Sequence, residues 1–234
     1  NNNSPLSAKL STFEAKLTVL KNDPNKNENA LQAVRALEDI TNHLRGLSKS
    51  IQEQRTRVSQ KMESTVAQAN DLLKKIDALN KEISILDADG KSAADLEDNR
   101  RLALKKLSAL INVSYHGNDQ NKAVVATKNG TLLLGSHVRT LKYASPASIT
   151  HTASYPASIP PISVDGEDVT KDFDSGELGA LIRLRDGDLV KKHDELNEFA
   201  LRLRNKLNAV STQGAHSPLT RRLVGDQKLS PTDS

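Results

Sequence analysis

Between Leu31 and Leu86, apolar residues return mostly at alternating steps of three and four, with polar residues between them. The stripe runs through Leu37, Ile40, Leu44, Leu47, Ile51, Val58, Met62, Val66, Ala69, Leu72, Ile76, Leu79, Ile83 and Leu86. That spacing predicts a long helix with one apolar seam, as in a coiled coil. One seam position, between Ile51 and Val58, carries no apolar residue; Gln54 or Arg55 would occupy it. No proline interrupts the stretch. At about 1.5 Å per residue it would extend roughly 80 Å. Gly46 lies inside it, costs about 1 kcal/mol against alanine and permits a bend at most.

The flanking patterns predict shorter elements. Leu10, Phe13, Leu17 and Leu20 place one apolar face on a helix over Ser7–Leu20, which Pro24 ends. The long helix begins near Asn27 or Glu28 and stops at Asp87-Ala88-Asp89-Gly90, where Gly90 suits a left-handed cap. Ser92 is the expected N-cap of a third helix, Ala93 to about Ile111, with Leu96, Ala103, Leu107 and Leu110 on its face. The period then shortens. Val113-Ser114-Tyr115, Ala123–Thr127 and Thr131–Leu134 are β-prone, and Lys128-Asn129-Gly130 is a hairpin turn signal. Val138–Tyr143 and Ile162-Ser163-Val164, the latter before the turn Asp165-Gly166, are further strands. Pro146, Pro156, Pro160 and Pro161 mark an extended connection between them.

A final helix is expected from Glu177 to about Val210, lined by Leu178, Leu181, Leu189, Leu196, Phe199, Leu203, Leu207 and Val210. At about 50 Å it is long enough to lie antiparallel on the long one. The expected fold class is mainly α: an elongated helical bundle or coiled coil with a small β-rich insertion between the third and fourth helices. In domain terms, residues 1–111 with 176–212 form the rod and 112–175 the insertion at one end of it. Residues 213–234 form a poorly ordered tail.

Composition narrows the function. Aromatic residues make up 3% and Trp is absent, so the core must be built from Leu, Ile, Val and Ala. The net charge is +4, but Lys and Arg alternate with Asp and Glu along the helices. That is the pattern of solvated faces, and no nucleic-acid partner is expected. The absence of Cys excludes disulfides and thiolate metal sites. No run of 18 apolar residues exists, so no membrane insertion is expected. The opening Asn1-Asn2-Asn3-Ser4, without Met, reads as an excised fragment without a signal peptide.

The sequence carries no reactive constellation of known spacing. His43, His116, His137, His151, His193 and His216 are scattered, with no i, i+4 pair and no HExxH. The glycines form no phosphate loop, and no GxSxG is present. Asp87 and Asp89 open like a calcium loop, but Asp98 stands where a Glu would close it, which leaves a helix-ending turn. No catalytic, cofactor-binding or metal-binding residue is therefore expected, and no cofactor. Arg185 and Asp186 are adjacent, and adjacent helical residues point roughly 100° apart. They are expected to pair with charges on neighbouring helices, Asp98 and Arg100 among them.

A family resemblance lies in an ordered series of motifs. Leu79-Asn80-Lys81-Glu82-Ile83, Asp95-Leu96-Glu97-Asp98-Asn99-Arg100 and Leu107-Ser108-Ala109-Leu110-Ile111-Asn112-Val113 resemble the flagellar hook-associated protein 1 family. Gly176-Glu177-Leu178-Gly179-Ala180-Leu181-Ile182-Arg183-Leu184-Arg185-Asp186 is similar to its GKLGALLxLRD, which opens the returning helix. Upstream, Leu10-Ser11-Thr12-Phe13-Glu14 with Asn22-Asp23-Pro24 is similar to its short first helix, and Leu207-Asn208-Ala209-Val210 to its NAxHxxG stretch. Glu97 and Asn99 replace its usual Leu and Gln, and residues 215–225 lack its GxDLxGxxG continuation.

The resemblance implies a structural subunit of the hook–filament junction, exported through the flagellar channel to the cell exterior. Its implied partners are the hook protein, the second junction protein and copies of itself. The chain would be the mid-layer domain without the terminal coiled-coil segments, and monomeric alone. Asp98, Arg100, Gly179, Arg185 and Asp186 would make the family's helix contacts. The competing reading is a cytoplasmic coiled-coil adaptor or scaffold, which needs the seam but neither the insertion nor the GELGALIRLRD return.

Overall fold

The computed structural model describes residues 4–118 and 120–214, with the side chains of 210–214 outside the description. Five helices are present among them: α1 Pro5–Asn22, α2 Asn27–Ala88, α3 Ala94–Leu110, α4 Gly176–Arg183 and α5 Leu189–Gly214. Between α3 and α4 lie β1 Val113–Gly117, β2 Ala123–Thr127, β3 Leu132–Leu134, β4 Leu141–Lys142, β5 Ser163–Val164 and β6 Glu167–Asp168. The fold is thus mainly helical, with two small antiparallel sheets, β1-β2-β3 and β4-β5-β6, inserted between the third and fourth helices.

Local chemistry sets the ends of these elements. Ser4 Oγ accepts the Ser7 amide at 3.2 Å and Pro5 fills the first turn, so α1 starts there. Gly90, at φ +65°, ends α2 as expected, with the Lys91 amide donating to the Leu86 carbonyl at 2.9 Å. The expected Ser92 cap is corrected: Ala93 is the cap residue and makes no side-chain bond. The hairpin turn after β2 is closed by the Gly130 amide on the Thr127 carbonyl at 3.0 Å. Asp165 and Gly166, both at positive φ, make the tight turn between β5 and β6. The strand expected over Val138–Tyr143 is reduced to Leu141–Lys142, with Val138 bridging back to Leu134.

The chain forms two compact units. Among the described residues, one takes 4–45 and 193–214; the other is Gly46–Lys192. In the first, Phe13, Ala36 and Ile40 are buried, and Leu6, Leu10, Leu17, Leu37, Leu44, Leu203 and Leu207 pack around them. In the second, one cluster joins Met62, Val66, Leu73 and Ile76 of α2 with Leu107 and Ile111. The same cluster takes in Val125, Leu133, Leu134, Leu141, Ile162, Val164, Phe173 and Leu178. This division differs from the expected boundary at residue 111. The short strands bury their apolar side chains against α2 and α3, because sheets of two- to five-residue strands have too little apolar surface to close a core of their own.

The final helix also differs from its expected form. Leu184–Asp188 between α4 and α5 is a π-helical turn. Such turns insert one extra residue per turn and re-aim the side chains they carry.

Candidate functional site

The skipped seam position opens the main polar site of the second unit. Arg55 fills it and is 3% exposed. Its Nε donates to the Arg185 carbonyl at 3.0 Å, Nη1 to the Thr150 carbonyl at 3.2 Å and Nη2 to the Ala153 carbonyl at 2.9 Å. Burial pushes the guanidinium pKa down; Asp186 opposes this and Arg185 adds to it. Arginine nevertheless keeps its charge in proteins, so Arg55 acts as a fixed cation tying α2 to two chain segments.

Arg185 is fully buried. It grips the Asp186 carboxylate with Nε at 2.8 Å and Nη2 at 2.6 Å, and Nη1 donates to the Tyr143 hydroxyl at 2.6 Å. Its guanidinium carbon lies 5.6 Å from the centroid of the Tyr143 ring. Burial alone would lower its pKa; the Asp186 bond and charge, together with Tyr143, outweigh that and raise it. The Tyr143 hydroxyl in turn meets Ser59 Oγ, to which Ser145 Oγ donates at 3.0 Å. Ser59 and Arg185 have no exposed surface. The network's polar groups are spent on one another, which is what a buried tie between elements requires.

Two asparagines fasten the strands to α2. Asn70 Nδ2 donates to the Leu141 carbonyl at 2.8 Å, and its Oδ1 accepts the Leu141 amide at 2.9 Å. Asn80 does the same with Ala123, both bonds at 2.9 Å. Each side-chain amide thus replaces a neighbouring strand, offering one donor and one acceptor to an otherwise unpaired backbone. Asn80 Oδ1 also accepts from Arg100 Nη1 at 3.0 Å.

The start of the returning segment depends on two glycines. Gly176 sits at φ +71°, and a Cβ there would lie 3.1 Å from the Leu110 carbonyl oxygen. At Gly179 a Cβ would fall 2.7 Å from the Asp174 carbonyl carbon and 3.1 Å from the Phe173 oxygen. Backbone, not a flexible side chain, is what it would strike. Gly179→Ala should therefore cost about 1–3 kcal/mol, as overpacking does, read as a lowered Tm.

Charges at this segment's rim give the fold a pH dependence. The Lys61 ammonium, 2.9 Å from Glu177, holds that carboxyl below its ordinary value; burial works against it and Thr65 assists. Asp174 is lowered by bonds from Lys128 and Asn112. Asp168 is lowered too: burial pushes it up, but the bonds from Tyr155 and Thr170 prevail. Carboxyls lowered in the folded state stabilise it fully above their unfolded values. That stability is lost as pH falls through the lowered folded values. Tm should accordingly fall on acidification below the ordinary carboxyl range, and Glu177→Gln should flatten part of the fall.

The sequence-predicted residues are distributed unevenly. Ile40, Met62, Val66, Ile76, Leu79 and Ile83 are buried, and Leu37, Leu44, Ile51, Val58 and Leu72 are half-buried. Leu47 is exposed, and Leu73 rather than Leu72 is the fully buried seam residue, which makes the spacing from Met62 to Ile76 regular. Val210 lies outside the described side chains. The expected pairing of Arg185 and Asp186 with Asp98 and Arg100 is corrected: they pair with each other, and Asp98 pairs with Arg101 at 2.6 Å. The reason is position. Arg185 meets α2 at Arg55 and Arg100 meets it at Asn80, about 38 Å apart along the helix. Tyr143 and Asn70 carry bonds that no motif had marked.

Arg55, Arg185, Tyr143, Asn70 and Asn80 thus tie helices to the inserted strands and loops within one largely helical body. The family model described as the flagellar hook-associated protein FlgK helical domain matches residues 1–218, and the chain belongs to that family. It is 28% identical over 214 residues to flagellar hook-associated protein 1 of Salmonella typhimurium, covering 90% of this chain and 38% of that protein. The Bacillus subtilis protein of the same description is 25% identical over 129 residues, 55% of this chain and 25% of that protein. The flagellar hook junction protein FlgK from Burkholderia pseudomallei shares the fold, with a TM-score of 0.62 at 21% identity over 79% of this chain and 34% of that one. The chain therefore spans well under half the length of these relatives.

Proposed function

We propose that this chain is the helical domain of a structural subunit at the hook–filament junction of a bacterial flagellum, outside the cell. The observation that carries the reading is the family match running through residues 1–218. In this reading the subunit packs side by side with axial neighbours: the hook protein, the second junction protein and copies of itself. It performs no catalysis. The Arg55–Arg185–Tyr143 network supports that view, since its bonds hold elements of the fold together. Residues 4–214 should sediment as a monomer at micromolar concentration; a tight dimer would favour a scaffold instead. In the source organism, loss of the gene should abolish motility, and the full-length gene should restore it. Unimpaired swimming of the deletion strain would refute the proposal.

A further inference from the structure

The turn after β2 contains Asn129-Gly130, the one Asn-Gly pair in the sequence. Asn-Gly is the dipeptide most prone to lose ammonia, because glycine leaves its own amide nitrogen open to the asparagine side chain. Both reacting groups are held in the folded hairpin. The Gly130 amide donates to the Thr127 carbonyl at 3.0 Å. The Asn129 amide nitrogen donates to Asp172 Oδ1 at 2.6 Å. Asp172 is itself buried, and its Oδ2 takes hydroxyl bonds from Thr127 and, at 3.4 Å, from Thr131.

We propose that Asn129 is a modification site gated by folding: the unfolded chain deamidates there, the folded hairpin prevents it, and the product no longer fits beside Asp172. In the open chain, hydroxide removes the Gly130 amide proton and the nitrogen attacks Asn129 Cγ. The N–Cγ bond forms, the Cγ–Nδ2 bond breaks, and ammonia leaves with a proton from water. Water then opens the resulting succinimide at either carbonyl, giving aspartate or isoaspartate. The folded state blocks the first step, since the nucleophile is turned to Thr127 and the amide is clamped to Asp172. The product replaces a donor with a carboxylate facing the buried Asp172 carboxylate, where like charges repel. The isoaspartate form also lengthens the backbone of a turn whose closure fixes the register of β2 and β3.

The test follows the wild-type chain at mildly alkaline pH in buffer and in concentrated urea, by peptide mass mapping. Conversion of Asn129 should be at least about tenfold slower in buffer, because reaction there requires opening of the hairpin. Equal rates in the two conditions would overturn the proposal. So would urea-phase conversion concentrated at another asparagine. Separately, Asn129→Asp should lower Tm, and adding Asp172→Asn should restore most of the loss by returning one donor and one acceptor to the contact. A variant melting with the wild type, or a double variant melting no higher than Asn129→Asp alone, would refute the clash with Asp172.

Discussion

Arg185→Ala should lower stability by about 3–5 kcal/mol, because removing one member of a buried ion pair strands the other. At this chain length that is a fall in Tm of about 6–20 °C. The substitution leaves the Asp186 carboxylate without its two-pronged partner and takes from the Tyr143 hydroxyl one of its bonds. Arg185→Lys should rescue little, since one ammonium cannot hold both carboxylate oxygens and the phenol in the same geometry. The exposed pair Asp98–Arg101 provides the control. Its removal should change stability by under about 1 kcal/mol. Equal, small effects at the two pairs, measured by thermal or urea unfolding, would show that the Arg185 network is not the tie described above.

Phe13→Ala should be comparably costly, about 3–5 kcal/mol, for a different reason. Phe13 is the one aromatic among the three fully packed residues of the first unit's core, and the others are Ala36 and Ile40. The leucines around it, Leu10, Leu17, Leu37 and Leu44 among them, are fixed on their own helices and can fill the space it leaves only in part. Hydrogen exchange should localise the effect. Amides of α1 and of the residues around Ala36 and Ile40 should lose protection, while those around Leu107 and Val125 keep it. A uniform loss through both cores would contradict the division into two units.

Much of this fold is legible in the sequence because periodicity encodes burial. Ile40, Met62, Val66, Ile76 and Ile83 recur at helical spacing and are buried. Lys128-Asn129-Gly130 marks its hairpin because few other residues accept that backbone. The π turn was less visible, since the weak helix formers Asp186, Gly187 and Asp188 in Leu184–Asp188 signal a local weakness but not its π form. Its trace is the eight-residue gap in the apolar stripe between Leu181 and Leu189. The polar network was only half legible. The empty seam position at Arg55 was apparent, but a lone arginine in a helix normally points to water. Its partners come from positions 95 to 130 residues away, and no spacing rule links them. Asn70 and Asn80 stayed hidden for the same reason, because their partners are backbone groups, which every residue has.

The position of the subunit can be read by immunogold electron microscopy, with antibodies raised against residues 4–214 and applied to intact flagella of the source organism. Gold should be confined to a narrow band where hook meets filament. Label restricted to the cytoplasm, with none on the flagellum, would contradict it.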